Sequence, residues 1–254
     1  MDGLGDRMKA HERATRAVLP RRTYTVVRVD GRAFHSYLRG AQRPFDAAFM
    51  AAMDGVAEAL CAEISGAVLA YTQSDEVSVL VTDFAAPGTE PWFGGVVQKW
   101  CSVAASLATA TLNARRPGAT ALFDARVFTI ADPLDVAGYL MWRQRDAVRN
   151  SIAMAAQSVF PHRRLQGLHS GQVQELLFAE AGINWNDYPA ACRRGRLTAR
   201  TRGEREVRYT HRRTGEEHTA VTARGRWETG AAPHFTAAEI TALIPAYPAS
   251  AAAG

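Results

Sequence analysis

The stretch "AYTQSDEVSVLV", residues 70–81, limits what this chain can build more than any other. Two apolar runs close on Ser74-Asp75-Glu76, with almost nothing that spells a surface loop. Val77, Val79 and Val81 alternate, as residues do in a strand with one buried face. The reading is a tight, half-buried β-hairpin that carries two carboxylates at its tip.

The segments on either side set the order of elements. "YTVVRVD" (24–30) is rich in β-branched residues and ends on an acid. Phe45, Phe49, Met53, Val56, Leu60 and Ile64 recur at spacings of three and four, which predicts a helix over 45–64. Trp92, Val96, Trp100, Val103 and Leu107 predict a second helix over 92–112, and "LFDARVFTI" (122–130) reads as a further strand. Asp132-Pro133-Leu134-Asp135 combines an N-cap, proline at the first helical position and an acid at the third, so a helix to about Phe160 is expected. The order β-α-β-β-α-β is the split βαβ plan of ferredoxin-like folds, an α+β class with an antiparallel sheet and two helices on one face. Residues 165–195 read as helix and then loop, and 196–228 as a basic β-hairpin turning at "RRTGEE". "PAYPASAAAG" reads as a frayed tail. The expected division is a palm-like core over residues 1–160 and a C-terminal part over 161–254 packed on it.

Charge is unevenly spread. Residues 193–226 hold eleven arginines and four glutamates, a local balance of +7 in a chain whose net charge is +5. A basic segment on a near-neutral body points to a polyanion, with nucleic acid first. Arginine in place of lysine is also what compositional drift produces, but drift does not cluster charge. No run of about 18 apolar residues predicts a membrane span, and "MDGLGDRMKAHERATR" is too charged for a signal peptide. Cys61, Cys101 and Cys192 are widely spaced and show no metal-ligand spacing, which fits a reducing cytosol. A cytoplasmic protein with no membrane partner is expected.

In the split βαβ plan strands one and three are central neighbours, so Asp30 comes close to Asp75. Two carboxylates at that range perturb each other unless a cation lies between them. Paired divalent metals satisfy both and position a phosphoryl group for in-line attack. Gly31 lets backbone approach a ligand, and the amides that follow it form a candidate anion cradle. An acidic pair in a hairpin is also ordinary turn chemistry, and Asp-Gly is more often a plain turn. Trp100, Trp142 and Phe178 lie on apolar faces and are assigned to the core rather than to base stacking.

"VVRVDGRAFHSY", "AYTQSDEVSVLV", "FDARVF", "YLMWRQRDAVRNSI", "LQG…QELLF" and "INWNDYPAACRRG" together, in that order from about Leu4 to Gly195, resemble the tRNA-histidine guanylyltransferase family. The resemblance implies a palm-like core, two magnesium ions, ATP and GTP or another nucleoside triphosphate as substrates, tRNA as partner, and a tetramer built as a dimer of dimers. Carried over by position, it implies that Asp30, the Gly31 carbonyl and Asp75 hold the metals, with Glu76 matching the second acid of the motif. It implies that backbone from Asp30 through Gly31, Arg32, Ala33 and Phe34 to His35, with Ser74, holds a triphosphate. Arg43 in "RPFD" stands where the family has a lysine, keeping the charge but not the geometry. Lys99 matches a lysine that meets the activating ATP; a solvated helix residue is the alternative.

Val148 replaces a histidine of the eukaryotic enzymes, while Asn150 is retained. That pattern resembles the bacterial and archaeal guanylyltransferase-like branch, which implies template-dependent 3′–5′ repair of tRNA 5′ ends. Arg149, Asn150, Arg193, Arg194 and the basic hairpin are the expected RNA contacts. The alternatives are addition of a single 5′ guanosine to histidine tRNA, a palm nucleotidyl cyclase, and a non-catalytic RNA-binding module.

Overall fold

The computed structural model describes residues 3–247, apart from residue 211 and the side chains of residues 204–207 and 220–224. An exposed N-terminal helix, α1 (Leu4–Ala14), leads into β1 (Tyr24–Gly31), the short α2 (Phe34–Tyr37) and α3 (Ala47–Glu63). The hairpin of β2 (Ala67–Gln73) and β3 (Glu76–Thr82) follows, then α4 (Val97–Arg115), β4 (Phe123–Ile130) and the long α5 (Pro133–Gln157). Beyond it come α6 (His162–Leu165), α7 (Ser170–Ala181), α8 (Ala190–Arg194), β5 (Arg196–Thr210), β6 (Glu217–Ala231) and α9 (Ala237–Thr241).

One antiparallel sheet runs β4-β1-β3-β2-β5-β6, with β1 and β3 adjacent as the split βαβ plan requires. Alternation along β1 and β3 sends Val27, Val29, Val77, Val79 and Val81 to one face, where they meet Met53, Val56 and Leu60 of α3 and Trp100 and Leu112 of α4. Each such side chain, fully buried, contributes about 1.5–3 kcal/mol. The opposite face carries Tyr24, Val26, Leu69 and Leu80 against Val136 and Leu140 of α5 and Ile240 of α9. The sheet is therefore covered on both faces: α3 and α4 are the two expected helices, and α5 covers the other side. A third cluster joins Ile152, Ala155 and Ala156 of α5 to Val173 and Leu177 of α7 and to Trp185.

Asp132 caps α5 by accepting from the Leu134 amide at 2.7 Å, with Pro133 at the first position, as its sequence predicts. Other boundaries differ. The second helix begins at Val97 rather than Trp92, because Phe93 and Gly94 adopt φ of 48° and 59° in a 3-10 turn. Phe45 lies outside α3, whose cap is Asp46, and packs edge-on against Tyr188 at 5.1 Å. α5 ends at Gln157, short of Phe160. The 165–195 region is the expected helix, α7, followed by turns, with the short α8 added at its end.

The basic hairpin forms as expected, its turn lying between Thr210 and Glu217. Its base joins the main sheet, with Arg196–Ala199 paired to β2; beyond that point β5 pairs with β6. Of the expected tail, residues 248–254 lie outside the described residues. Its start is anchored: the Tyr24 hydroxyl donates to the Pro245 carbonyl at 2.7 Å, and Tyr247 packs on Phe84 at 5.2 Å. No helix among the described residues is long and apolar enough to cross a membrane.

Candidate active site

The α5-facing side of the sheet turns polar toward the end of β1. The register sets Asp124, Asp30, Glu76 and Gln73 side by side on four neighbouring strands, with Arg126, Arg28, Ser78 and Tyr71 in the next row. Three adjacent carboxylates destabilise a sheet unless each finds a cation. Glu76, 8% exposed, is gripped by Arg143 of α5, which donates from Nε at 2.8 Å and from Nη2 at 2.7 Å. Asp124 lies 3.6 Å from Arg126. Asp30 has no such partner: among the described residues it forms no ion pair, and neither does Asp75.

Asp75 sits in the hairpin turn, next to Ser74 at φ 46°. Burial pushes its carboxyl up to about 6; its own amide and the Ser74 hydroxyl oppose the rise, and the Asp30 and Glu76 carboxylates add to it. Gly31 is what lets the first strand meet this turn. A Cβ there would stand 2.3 Å from the Phe34 ring and 2.7 Å from Asp75 Oδ2. The end of the strand is thus packed against the Phe34 ring and the Asp75 carboxylate with no room for a side chain.

This donor set fits magnesium. It offers two carboxylates and one backbone carbonyl, all hard oxygens, and a half-shielded Asp75 that lacks a protein cation. Magnesium is typically held by one or two carboxylates with substrate phosphates and water completing the shell, so a cage of three protein acids is not required. Among the described residues no cluster of three or more His, Cys, Asp or Glu is arranged as ligands.

Two cavities meet at this point. One, of about 380 Å³, is lined by Asp30, Asp75 and Glu76 together with Arg28, Trp142, Arg143 and Asp146. Another, of about 310 Å³, has apolar walls from Leu38, Phe45, Phe49 and Met154, with His35 and Arg43 on its rim. Gln73, Ser74 and Asn150 line both, so they form the shared wall.

The remaining residues singled out from the sequence fall into three groups. His35, Arg43, Ser74 and Asn150 converge on the cavities. In the segment after Gly31, Phe34 is buried against Tyr37, Phe49 and Phe123, while Ala33 takes φ 57° to start α2. The Arg32 amide is occupied, donating to the Leu122 carbonyl at 2.8 Å. Lys99 lines neither cavity; it lies on the α4 side of the sheet with its ammonium 5.6 Å from the Phe93 ring. Arg149 is ion-paired with Asp146.

Arg193 braces the 184–188 turn, donating to the Tyr188 carbonyl at 2.7 Å and stacking on Trp185 at 5.2 Å. The Arg194 carbonyl accepts from the Tyr71 hydroxyl at 2.7 Å, and its Nε is buried without a partner. Arg196 is tied to Asp54.

Two assignments to the core are overturned. Trp142 is 52% exposed and Phe178 65% exposed, whereas Trp100 is buried as expected. The buried stripe of α5 runs through Val136, Leu140, Arg143, Gln144, Ala147 and Ser151, and Trp142 lies off it. Sequence reasoning missed Arg143, Gln144, Asp146 and Arg28. Gln144 donates to the Pro233 carbonyl at 2.7 Å and accepts from the Phe235 amide at 2.8 Å, which seats the C-terminal strap on α5. A polar pair inside a buried helical stripe, as Arg143-Gln144 is, was the available signal: such groups are buried only with partners.

Residues 5–131 match the family model for tRNAHis guanylyltransferase (Thg1). The probable tRNA(His) guanylyltransferase of Drosophila melanogaster is 30% identical over 210 residues, covering 73% of this chain and 70% of its own length. Among solved structures, a bacterial tRNA(His) guanylyltransferase (Thg1)-like protein in complex with ATP is similar with a TM-score of 0.76 and 42% identity, over 78% of this chain and 88% of that one. A bacterial Thg1-like protein in complex with GTP gives a TM-score of 0.74 and 36% identity, over 91% of this chain and 93% of that one.

Proposed function

This chain belongs to the tRNAHis guanylyltransferase family of nucleotidyltransferases, and on that footing we propose that it extends the 5′ end of tRNA in the 3′–5′ direction, choosing each nucleotide by pairing with the opposite strand. The observation that carries this reading is the shared wall: an acidic cavity built on Asp30 and Asp75 opens beside a base-sized apolar cavity across Gln73, Ser74 and Asn150. One reactant's phosphate and the other's sugar can meet there.

The chemistry balances in two displacements at phosphorus. A 5′-monophosphate carries no leaving group, so its oxygen first attacks the α-phosphorus of ATP, forming a phosphoanhydride as pyrophosphate departs. The 3′-hydroxyl of the incoming nucleotide then attacks the activated 5′-phosphorus and AMP departs, leaving a chain one residue longer at its 5′ end. Asp30, the Gly31 carbonyl and Asp75 would hold the magnesium ions, whose bound charge neutralises phosphates and acidifies the attacking hydroxyl.

The protein's own part is placement. Arg143 clamps Glu76 and so holds the hairpin that presents Asp75. Arg28 directs a cation into the acidic cavity, its Nε buried without a partner beside Asp30. His35, Arg43 and Ser74 meet the incoming triphosphate at the rim of the apolar cavity. That cavity offers contacts of shape and charge that any base satisfies, so selection falls to pairing with the tRNA itself. The repair reading draws on the sequence resemblance, which puts Val148 where the eukaryotic enzymes have a histidine; here that residue packs against the third core cluster.

The test is incubation of a tRNA that lacks its first nucleotide and bears a 5′-monophosphate with ATP and the four nucleoside triphosphates. The expected product is one nucleotide longer at the 5′ end, and only when a triphosphate able to activate the phosphate is present. A cyclic nucleotide formed without RNA would support a cyclase instead.

A further inference from the structure

We propose that Trp142 is the stacking platform for the terminal base at the RNA 5′ end, an inference that rests on the reading of this site as one where RNA 5′ ends react. An indole that is 52% exposed forgoes the burial such a ring ordinarily gains. Its place is specific: it lines the acidic cavity with Asp30 and Asp75. It is absent from the lining of the apolar cavity, where Leu38, Phe45 and Phe49 already offer the incoming nucleotide a base-sized pocket. The base that meets Trp142 therefore belongs to the other reactant.

The ring is also held in advance. The Arg143 guanidinium lies 4.5 Å from its centroid, and that guanidinium is itself fixed by Glu76 and Asp146. Tyr139 packs against the indole at 5.9 Å and 58°, with its hydroxyl 2.8 Å from Ser78 Oγ. A locked cation thus covers part of the ring, Tyr139 packs against it as well, and the indole still lines the cavity. A platform ordered before binding loses little entropy when a base settles on it. Stacking also accepts any base, which suits a reaction whose choice of nucleotide comes from pairing.

The test uses the full-length protein, a 5′-monophosphorylated acceptor-stem RNA hairpin, and Trp142→Ala beside Trp142→Phe. Removing the ring is expected to weaken RNA binding about tenfold, whereas phenylalanine keeps it within about threefold of wild type. Affinities for ATP and GTP, and the salt dependence of RNA binding, are expected to stay unchanged, because stacking releases no counterions. Wild-type indole fluorescence falls on adding the RNA, and Trp142→Phe lacks that change. Unchanged RNA affinity in Trp142→Ala overturns the proposal. Weakened ATP or GTP binding with RNA affinity intact also overturns it, by giving the base to the nucleotide. If the wild-type protein binds no RNA, the underlying functional reading falls first, and the inference falls with it.

Discussion

Arg143 of α5 holds both carboxylate oxygens of Glu76 across 67 residues of chain, at 2.8 and 2.7 Å, and both residues are almost fully buried. The pair docks the long helix on the strand that ends at the hairpin turn. It also takes Glu76 out of competition for a cation, leaving Asp30 and Asp75 as the open pair. Removing one partner strands a buried charge, so Arg143→Ala is expected to lower stability by about 3–5 kcal/mol in denaturant titration. Replacing both, as Arg143→Met with Glu76→Leu, is expected to recover most of it. A stability unchanged in Arg143→Ala would show that the clamp holds nothing.

Asp30 and Asp75 are expected to be required for chemistry and not for folding. Asp75→Asn removes a charge that burial disfavours, so at pH 7.5 with chelator it should stabilise the protein by about 1–3 kcal/mol while abolishing nucleotide addition. The sign follows from the carboxyl's rise to about 6 in the fold: the unfolded chain ionises it near pH 4 and the folded one only later. The advantage of Asn should therefore shrink below pH 6 and vanish below about pH 4. A destabilised Asp75→Asn at pH 7.5 without metal would contradict the burial account.

The same carboxyl sets the pH dependence of metal binding. A cation needs Asp75 ionised, so the apparent magnesium affinity, read by thermal shift against metal concentration, is expected to be level above about pH 6 and to fall about tenfold per unit below it. A profile flat from pH 7 to pH 5 would take Asp75 out of the ligand set.

RNA affinity is expected to depend on the projecting hairpin rather than on its root. The side chains of Arg193 and Arg196 are engaged within the protein, and Arg194 has its Nε buried. Arg200, Arg202, Arg208, Arg212 and Arg213 are exposed on the hairpin. Neutralising these five should weaken tRNA binding and reduce its salt slope by up to about one for each arginine that contacts a phosphate. An unchanged slope would mean that the cluster is a solvated face.

Period and order make the sheet legible from the residues alone. Val77, Val79 and Val81 name the face of β3 that meets α3 and α4, although Ser78 and Leu80 on its other face are buried as well, and the β-α-β-β-α-β order puts Asp30 beside the hairpin of Asp75. What stays hidden depends on distance. Nothing near Glu76 in the chain points to Arg143; the Arg143-Gln144 pair inside the buried stripe of α5 marks a buried polar group but names no partner for it. The start of α4 is hidden because "WFGG" reads as apolar period while Phe93, Gly94 and Gly95 take positive φ. Trp142 reads as core because large rings usually are; only the packing of α5 shows that its stripe passes one residue further on.

The choice of reaction has the most direct test. A tRNA lacking its first nucleotide is prepared in four forms that differ only in the base opposite the vacancy at the acceptor end. Addition by the protein with ATP and all four nucleoside triphosphates is followed by sequencing the product's 5′ end. The account predicts that the added nucleotide is the complement of the opposing base in each form. Addition of guanosine whatever the opposing base, and only to histidine tRNA, would contradict it and make this protein a single-guanosine transferase.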